Sequence, residues 1–190
     1  MGAENGRYNS IVETGTFRGV TTEFMASNSP VCVYSIEANR RNYGFSRARL
    51  RRVRNVELYC GDSVMHLALL LPRLLLRGSG FFYLDAHWDT HLPLLEELEG
   101  IFSKTLDVVV MIDDFQVPED PGYRFDDYCQ AGTLCLEYIA EIMEHYEITA
   151  FFPRCPSSQE NGALRGMVLL ATGELAKTLD QLSSVRRWKG

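Results

Sequence analysis

The chain predicts a doubly wound α/β domain built on a mostly parallel sheet, and three observations carry that expectation. Strand-like runs such as Phe81-Phe82-Tyr83-Leu84 and Val108-Val109-Val110-Met111-Ile112 are hydrophobic throughout, as strands are when helices cover both faces of a sheet. Each of the first five runs is followed by a longer segment of helical period, the crossover a parallel pair requires. The last two runs have no helix between them, and Asn161-Gly162 marks a turn there, so they pair as antiparallel neighbours.

In chain order, β-branched and aromatic enrichment places strands at 10–14, 31–37, 56–60, 80–85, 107–112, 148–153 and 166–172. Helical spacing of apolar residues places helices at 21–27, 40–52, 63–77, 92–102, 133–146 and 175–185. Asp62 and Ser63 are natural N-caps for the third helix. No repeat or linker calls for a second domain, so residues 1–190 are read as one domain with little ahead of its first strand.

With 190 residues, 46% of them hydrophobic, the chain can bury a sizeable core, which excludes disorder, collagen and coiled coil as descriptions of the whole. The apolar run Leu67 to Leu71 is broken by Pro72 and Arg73 far short of a membrane span, and the first residues lack an apolar signal core. A cytoplasmic protein is the expectation. Cys32, Cys60, Cys129, Cys135 and Cys155 are odd in number and without a Cys-x-x-Cys pair, which fits reduced thiols; Cys32 and Cys60 fall in strand candidates as small hydrophobes. Charge is divided along the chain. Seven of its 16 arginines lie between Arg40 and Arg54, while residues 85–147 hold 16 acidic side chains and two basic ones.

In an open α/β sheet ligands bind outside the carboxyl ends of the strands. Those ends read Glu13-Thr-Gly15-Thr16-Phe-Arg-Gly19, Glu37, Gly61-Asp62-Ser63, Asp85-Ala-His87 and Asp113-Asp114. A carboxylate is costly to desolvate without donors or cations, so its recurrence at five strand ends points to a site. Two glycines in the first strand-to-helix turn allow close backbone approach, and the helix start offers N–H donors. Glu37 is placed to accept both hydroxyls of a ribose, and Asp62 to accept from an adenine amino group as well as to cap its helix.

Glu13-x-Gly15-x-x-x-Gly19, then Glu37, then Gly61-Asp62-Ser63, on a sheet ending in a reversed hairpin, resembles the class I S-adenosylmethionine (SAM)-dependent methyltransferases across residues 11–172. The resemblance implies a Rossmann-like three-layer α/β/α sandwich with a seven-stranded sheet of order 3-2-1-4-5-7-6, strand 7 antiparallel. It implies that Gly15 and Gly19 pack on the methionine part of the cofactor, that Glu37 holds the ribose and that Asp62 meets the adenine. Glu13, Thr16, Ser63 and Asp85 complete the candidate cofactor set. A dinucleotide-binding dehydrogenase shares the acidic second strand end, but Glu13 stands where its glycine motif begins.

Asp85, Asp113 and Asp114, brought side by side at the ends of strands four and five, would repel one another unless a cation sat among them; Mg²⁺ is the simplest candidate. This resembles the metal-dependent O-methyltransferases of the catechol and macrolide-sugar kinds, and implies O-methylation of a small-molecule hydroxyl, with Asp85, Asp113 and Asp114 as ligands. The lysine base of the catechol kind has no counterpart, since Trp88 stands at its place; His87 and His91 are the alternatives, unless they only cap a helix or face solvent. Residues 115–128 read as a binding loop or lid whose Phe115, Tyr123, Phe125 and Tyr128 either pack on an acceptor or plug onto the sheet. The arginine run, thin in aromatics, reads as a solvated helix face rather than a nucleic-acid patch. Two other readings remain: another metal-dependent enzyme on this scaffold, hydroxylase-like, and a non-catalytic binding domain. The short lead before the first strand implies a second subunit, of this kind or another, or the 115–128 loop, over the cofactor, or else a cofactor held weakly.

Overall fold

The structure, a computed structural model, describes residues 8–75, 78–86, 92–105 and 107–189. Its contacts gather into two compact units, Met1–Ala86 and His87–Gly190.

The first unit runs β1 (Ser10–Thr14), α1 (Val20–Asn28), β2 (Val33–Glu37), α2 (Arg40–Arg49), β3 (Val56–Cys60), α3 (Ser63–Leu75) and β4 (Gly80–Leu84). Its strands lie in the order β3-β2-β1-β4, all parallel. Register aligns their carboxyl ends: Glu13 sits beside Ser35 and Tyr83, Thr14 beside Ile36 and Leu84, and Glu37 beside Cys60. Every residue of β1 and β2 is buried, whereas β3 at the edge of this unit is half-buried to exposed. Ile11, Ala26 and Val33 form a core with Met25, Val31, Val53, Val56 and Phe81 packed against it. The Asn55 amide donates to the carbonyls of Ala26, Ser29 and Val31, tying the end of α1 to the approach to β3. Leu67, Leu70, Leu71 and Leu74 bury one stripe of α3, and the helix continues through Pro72.

The second unit runs α4 (Leu94–Phe102), β5 (Val108–Asp113), α5 (Leu136–His145), β6 (Thr149–Pro153), β7 (Met167–Ala171), α6 (Gly173–Asp180) and β8 (Val185–Arg187), with single 3₁₀ turns at Cys129–Ala131 and Ser157–Gln159. The order is β5-β7-β6-β8, and each of these pairs is antiparallel. The reversed hairpin inferred from the missing helix is therefore present as β6 and β7. Tyr146 stacks on Phe102 and donates its hydroxyl to Glu99, joining α5 to α4.

The fold is Rossmann-like α/β with parallel and antiparallel strands, as expected, but eight strands are described rather than seven. The expected helix at 175–185 ends at Asp180, and Val185–Arg187 forms β8 on β6. Three residues are too few for a periodicity signal. The exposed edge of β6 supplies the partners, while Val185 is buried and Trp188 meets Phe152 edge to face. All five cysteines are free; Cys60 is exposed at the edge strand's end, not the small core hydrophobe expected. Among the described residues no helix is long and apolar enough to cross a membrane.

Candidate functional site

The carboxyl ends of β1 and β2 assemble a polar cluster inside the first unit. Glu13 is 1% exposed, and its Oε2 accepts from the Ser35 hydroxyl on β2 and from the Thr22 hydroxyl on α1, the latter at 2.5 Å. Thr16 Oγ1 lies 2.5 Å from Ser35 Oγ. Burial dominates Glu13 and pushes its carboxyl up to about 7; the two hydroxyls and nearby Glu37 are smaller influences. Thr22 and Ser35 escaped the sequence reading. Their one available signal was the strand and helix periodicity that turns both toward Glu13.

The connection from β1 to α1 carries three left-handed residues, Gly15 (φ 88°), Phe17 (φ 48°) and Gly19 (φ 71°). A side chain on Gly15 would overlap the carbonyl of Asp85, so this glycine is required by the chain's own packing. A Cβ on Gly19 would press on Leu50 Cδ1 at 3.0 Å and Ser46 Cβ at 3.2 Å. The amides of Gly15 and Thr16 both donate to the Ile36 carbonyl, which sets the turn against the end of β2. Gly19 caps α1 with no side-chain hydrogen bond, leaving the first-turn N–H groups to other acceptors.

Glu37, 6% exposed, is held from both sides by backbone: Phe17 N donates to Oε2 at 2.6 Å and Asn39 N to Oε1 at 2.7 Å. Each oxygen retains acceptor capacity beyond the one N–H it takes. Asp62 caps α3, its Oδ1 accepting from Met65 N at 2.9 Å, beside the buried Ser63. Asp85 is half-buried, and its amide donates to the Thr14 carbonyl. The hydroxyl of Thr14 is buried without a hydrogen-bond partner among the described residues. Of the expected cofactor set, Glu13, Gly15, Thr16, Gly19 and Glu37 thus converge around β1, β2 and α1. Glu13 and Thr16 are buried, and both meet the Ser35 hydroxyl.

The acidic strand end of the second unit is arranged differently from expectation. Asp114 Oδ1 accepts from Arg165 Nε, and Asp126 Oδ1 accepts from Nη2 of the same guanidinium. The hydrogen bond to Asp114 and, less strongly, that to Asp126 hold Arg165 further into its charged form, against partial burial. Asp113 Oδ1 accepts from the Asp114 amide at 3.0 Å. Among the described residues no group of three or more His, Cys, Asp or Glu is placed to hold a metal ion. At Asp114, one of the expected ligands of a divalent ion, the cation is a guanidinium. Nothing local to Arg165 announces a partner 51 residues away.

Residues 115–128 are anchored. Phe115 is fully buried against Phe152, and Tyr123 is buried with its hydroxyl donating to the Cys155 carbonyl. These two plug the segment inward; Tyr128, half-buried, donates to Asp126, and Phe125 is half-buried. His87 and His91, like Trp88, lie outside the described residues. Arg40, Arg41, Arg47, Arg49, Arg51, Arg52 and Arg54 are all exposed, Arg49 pairing with Glu23.

No protein-family model and no curated protein sequence matches the chain. Solved structures do. An O-methyltransferase from Bacillus cereus in complex with SAH superposes over 87% of this chain and 75% of its own, at 16% identity and a TM-score of 0.59. TomG, an O-methyltransferase from Streptomyces achromogenes involved in tomaymycin synthesis and solved with SAM, covers 88% of this chain and 74% of its own at 20% identity and a TM-score of 0.58. The methyltransferase domain of bacterial CtHen1 covers 87% and 91% at 13% identity and a TM-score of 0.59. At these identities the likeness defines the fold, which is the one these methyltransferases share.

Proposed function

We propose that the chain binds SAM at the first unit's strand ends and transfers its methyl group to a hydroxyl of a small molecule. The observation that carries this reading is Glu37: a buried carboxylate at the end of β2, fixed by two backbone N–H groups, beside the uncapped start of α1. A ribose diol needs two fixed acceptors with no competing countercharge, and a carboxylate terminus is favoured at a helix N-terminus. In this reading Glu37 holds the ribose, the Gly15 to Gly19 turn and α1 receive the methionine part, and Asp62 meets the adenine while capping α3. SAM, when bound, supplies an electrophilic methyl group on sulfur. The chain's contribution is positioning: the inward Glu13 cluster holds the turn in place, and Asp85, at the end of β4 beside Gly15, orients groups at that end. His87 and His91 are the candidates for taking the hydroxyl proton.

Calorimetric titration with SAH tests the reading. Wild type is expected to bind one equivalent, and Glu37→Ala to bind about 10- to 100-fold more weakly, the value of hydrogen bonds to a charged group. Absence of binding to both SAH and SAM by folded wild type overturns it. Methyl transfer from labelled SAM to a panel of phenols and sugars then distinguishes an enzyme from a binding domain.

A further inference from the structure

We propose that Arg165 is the resident cation of the second unit's acidic pole: it occupies Asp114 in place of a divalent metal and fixes residues 115–128 as a rigid wall rather than a lid. The guanidinium forks, Nε to Asp114 and Nη2 to Asp126, so one side chain joins the β6–β7 connection to the two residues that flank 115–125. Arginine keeps its charge at any working pH, and its planar fork suits two carboxylates as a lysine point charge does not. A divalent ion approaching Asp114 would meet a fixed positive charge at bonding distance, already hydrogen-bonded to Oδ1.

The backbone is built around this bridge. Asp114 and Leu164 both adopt left-handed φ of 54°, a conformation that non-glycine residues hold when their surroundings demand it. Between them the chain pairs closely: Phe115 N donates to Gly166 O, Arg124 N to Leu164 O, Gly166 N to Arg124 O and Asp126 N to Asp114 O. A side chain on Gly166 would overlap the Phe115 carbonyl, so the approach is as close as backbone allows. A second latch lies further out. Asp120 accepts from the Ser157 amide at 2.8 Å and its hydroxyl at 2.5 Å, and Arg186 Nη2 donates to Pro118 O at 2.8 Å. The inference is independent of SAM binding, because its readouts are metal binding and backbone opening.

The test titrates Mn²⁺ into the full chain by electron paramagnetic resonance and follows amide hydrogen exchange across 115–128, in wild type, Asp114→Asn and Arg165→Gln. Wild type should show no Mn²⁺ site that Asp114→Asn abolishes, and its Tm should not move between Mg²⁺ and EDTA. Arg165→Gln should exchange about tenfold faster across 115–128 and melt on the order of 5 °C lower. A wild-type Mn²⁺ site lost in Asp114→Asn overturns the proposal, as does unchanged exchange in Arg165→Gln. If that variant does not fold, Arg165→Lys decides: a point charge should leave Mn²⁺ excluded yet speed exchange at 124–126, and exchange identical to wild type refutes the forked clamp.

Discussion

In the first unit Glu13 is met by the hydroxyls of Thr22 and Ser35 and Glu37 by the amides of Phe17 and Asn39, whereas in the second unit Asp114 is met by a guanidinium that it shares with Asp126. Uncharged donors orient a carboxylate without cancelling its charge, at the cost that burial raises its pKa. A guanidinium cancels the charge and makes the carboxylate structural. Carboxylates that look alike at successive strand ends are therefore satisfied in opposite ways, by uncharged donors at β1 and β2 and by a charged one after β5.

The comparison can be broken first at Gly15. Gly15→Ala combines overlap with the Asp85 carbonyl and a φ of 88°, and should cost about 4 kcal/mol or prevent folding. Denaturant unfolding measures it, and a loss under about 1 kcal/mol would show that the turn yields easily. Next comes the charge on Glu13. Its folded value of about 7 lies above the ordinary 4.5, so the contribution to stability is fully present below about pH 4.5 and is lost as pH rises through about 7. The swing is on the order of 3 kcal/mol. Stability of wild type should fall across that window relative to Glu13→Gln, and parallel pH profiles for the two would mean Glu13 is not the titrating group. Glu37→Gln removes the charge and turns an NH2 toward one of the two backbone N–H groups that the carboxylate accepts from; SAH affinity should fall about tenfold and Tm should fall with it. The smallest effect belongs to Arg49→Ala, which removes an exposed pair with Glu23 and should change unfolding free energy by no more than about 0.5 kcal/mol.

Much of this arrangement was legible in the residues. The strands 10–14 and 56–60 have the expected bounds, because their apolar β-rich runs stop at Gly15 and Gly61. The antiparallel hairpin followed from a missing helix. Glu13 and Glu37 stood out as carboxylates among buried strand residues. What could not be read was the partner of each charge: Ser35 lies 22 residues from Glu13, Asn39's amide works through backbone, and Arg165 reaches back 51 and 39 residues to Asp114 and Asp126. The expected metal came from the mutual repulsion of Asp85, Asp113 and Asp114 at neighbouring strand ends, with Arg165, distant in sequence, left out of the balance. β8 escaped for a similar reason, since Val185–Arg187 is a strand by virtue of the edge of β6.

By itself the sequence determined the alternation of elements, the reversed hairpin and the carboxylates at the strand ends, because periodicity, turn chemistry and the cost of burying charge are local properties. Tertiary structure decided how each carboxylate is satisfied: hydroxyls and amides at β1 and β2, a guanidinium after β5. That choice rests on which distant donor the fold brings within hydrogen-bond reach, and no local pattern encodes it.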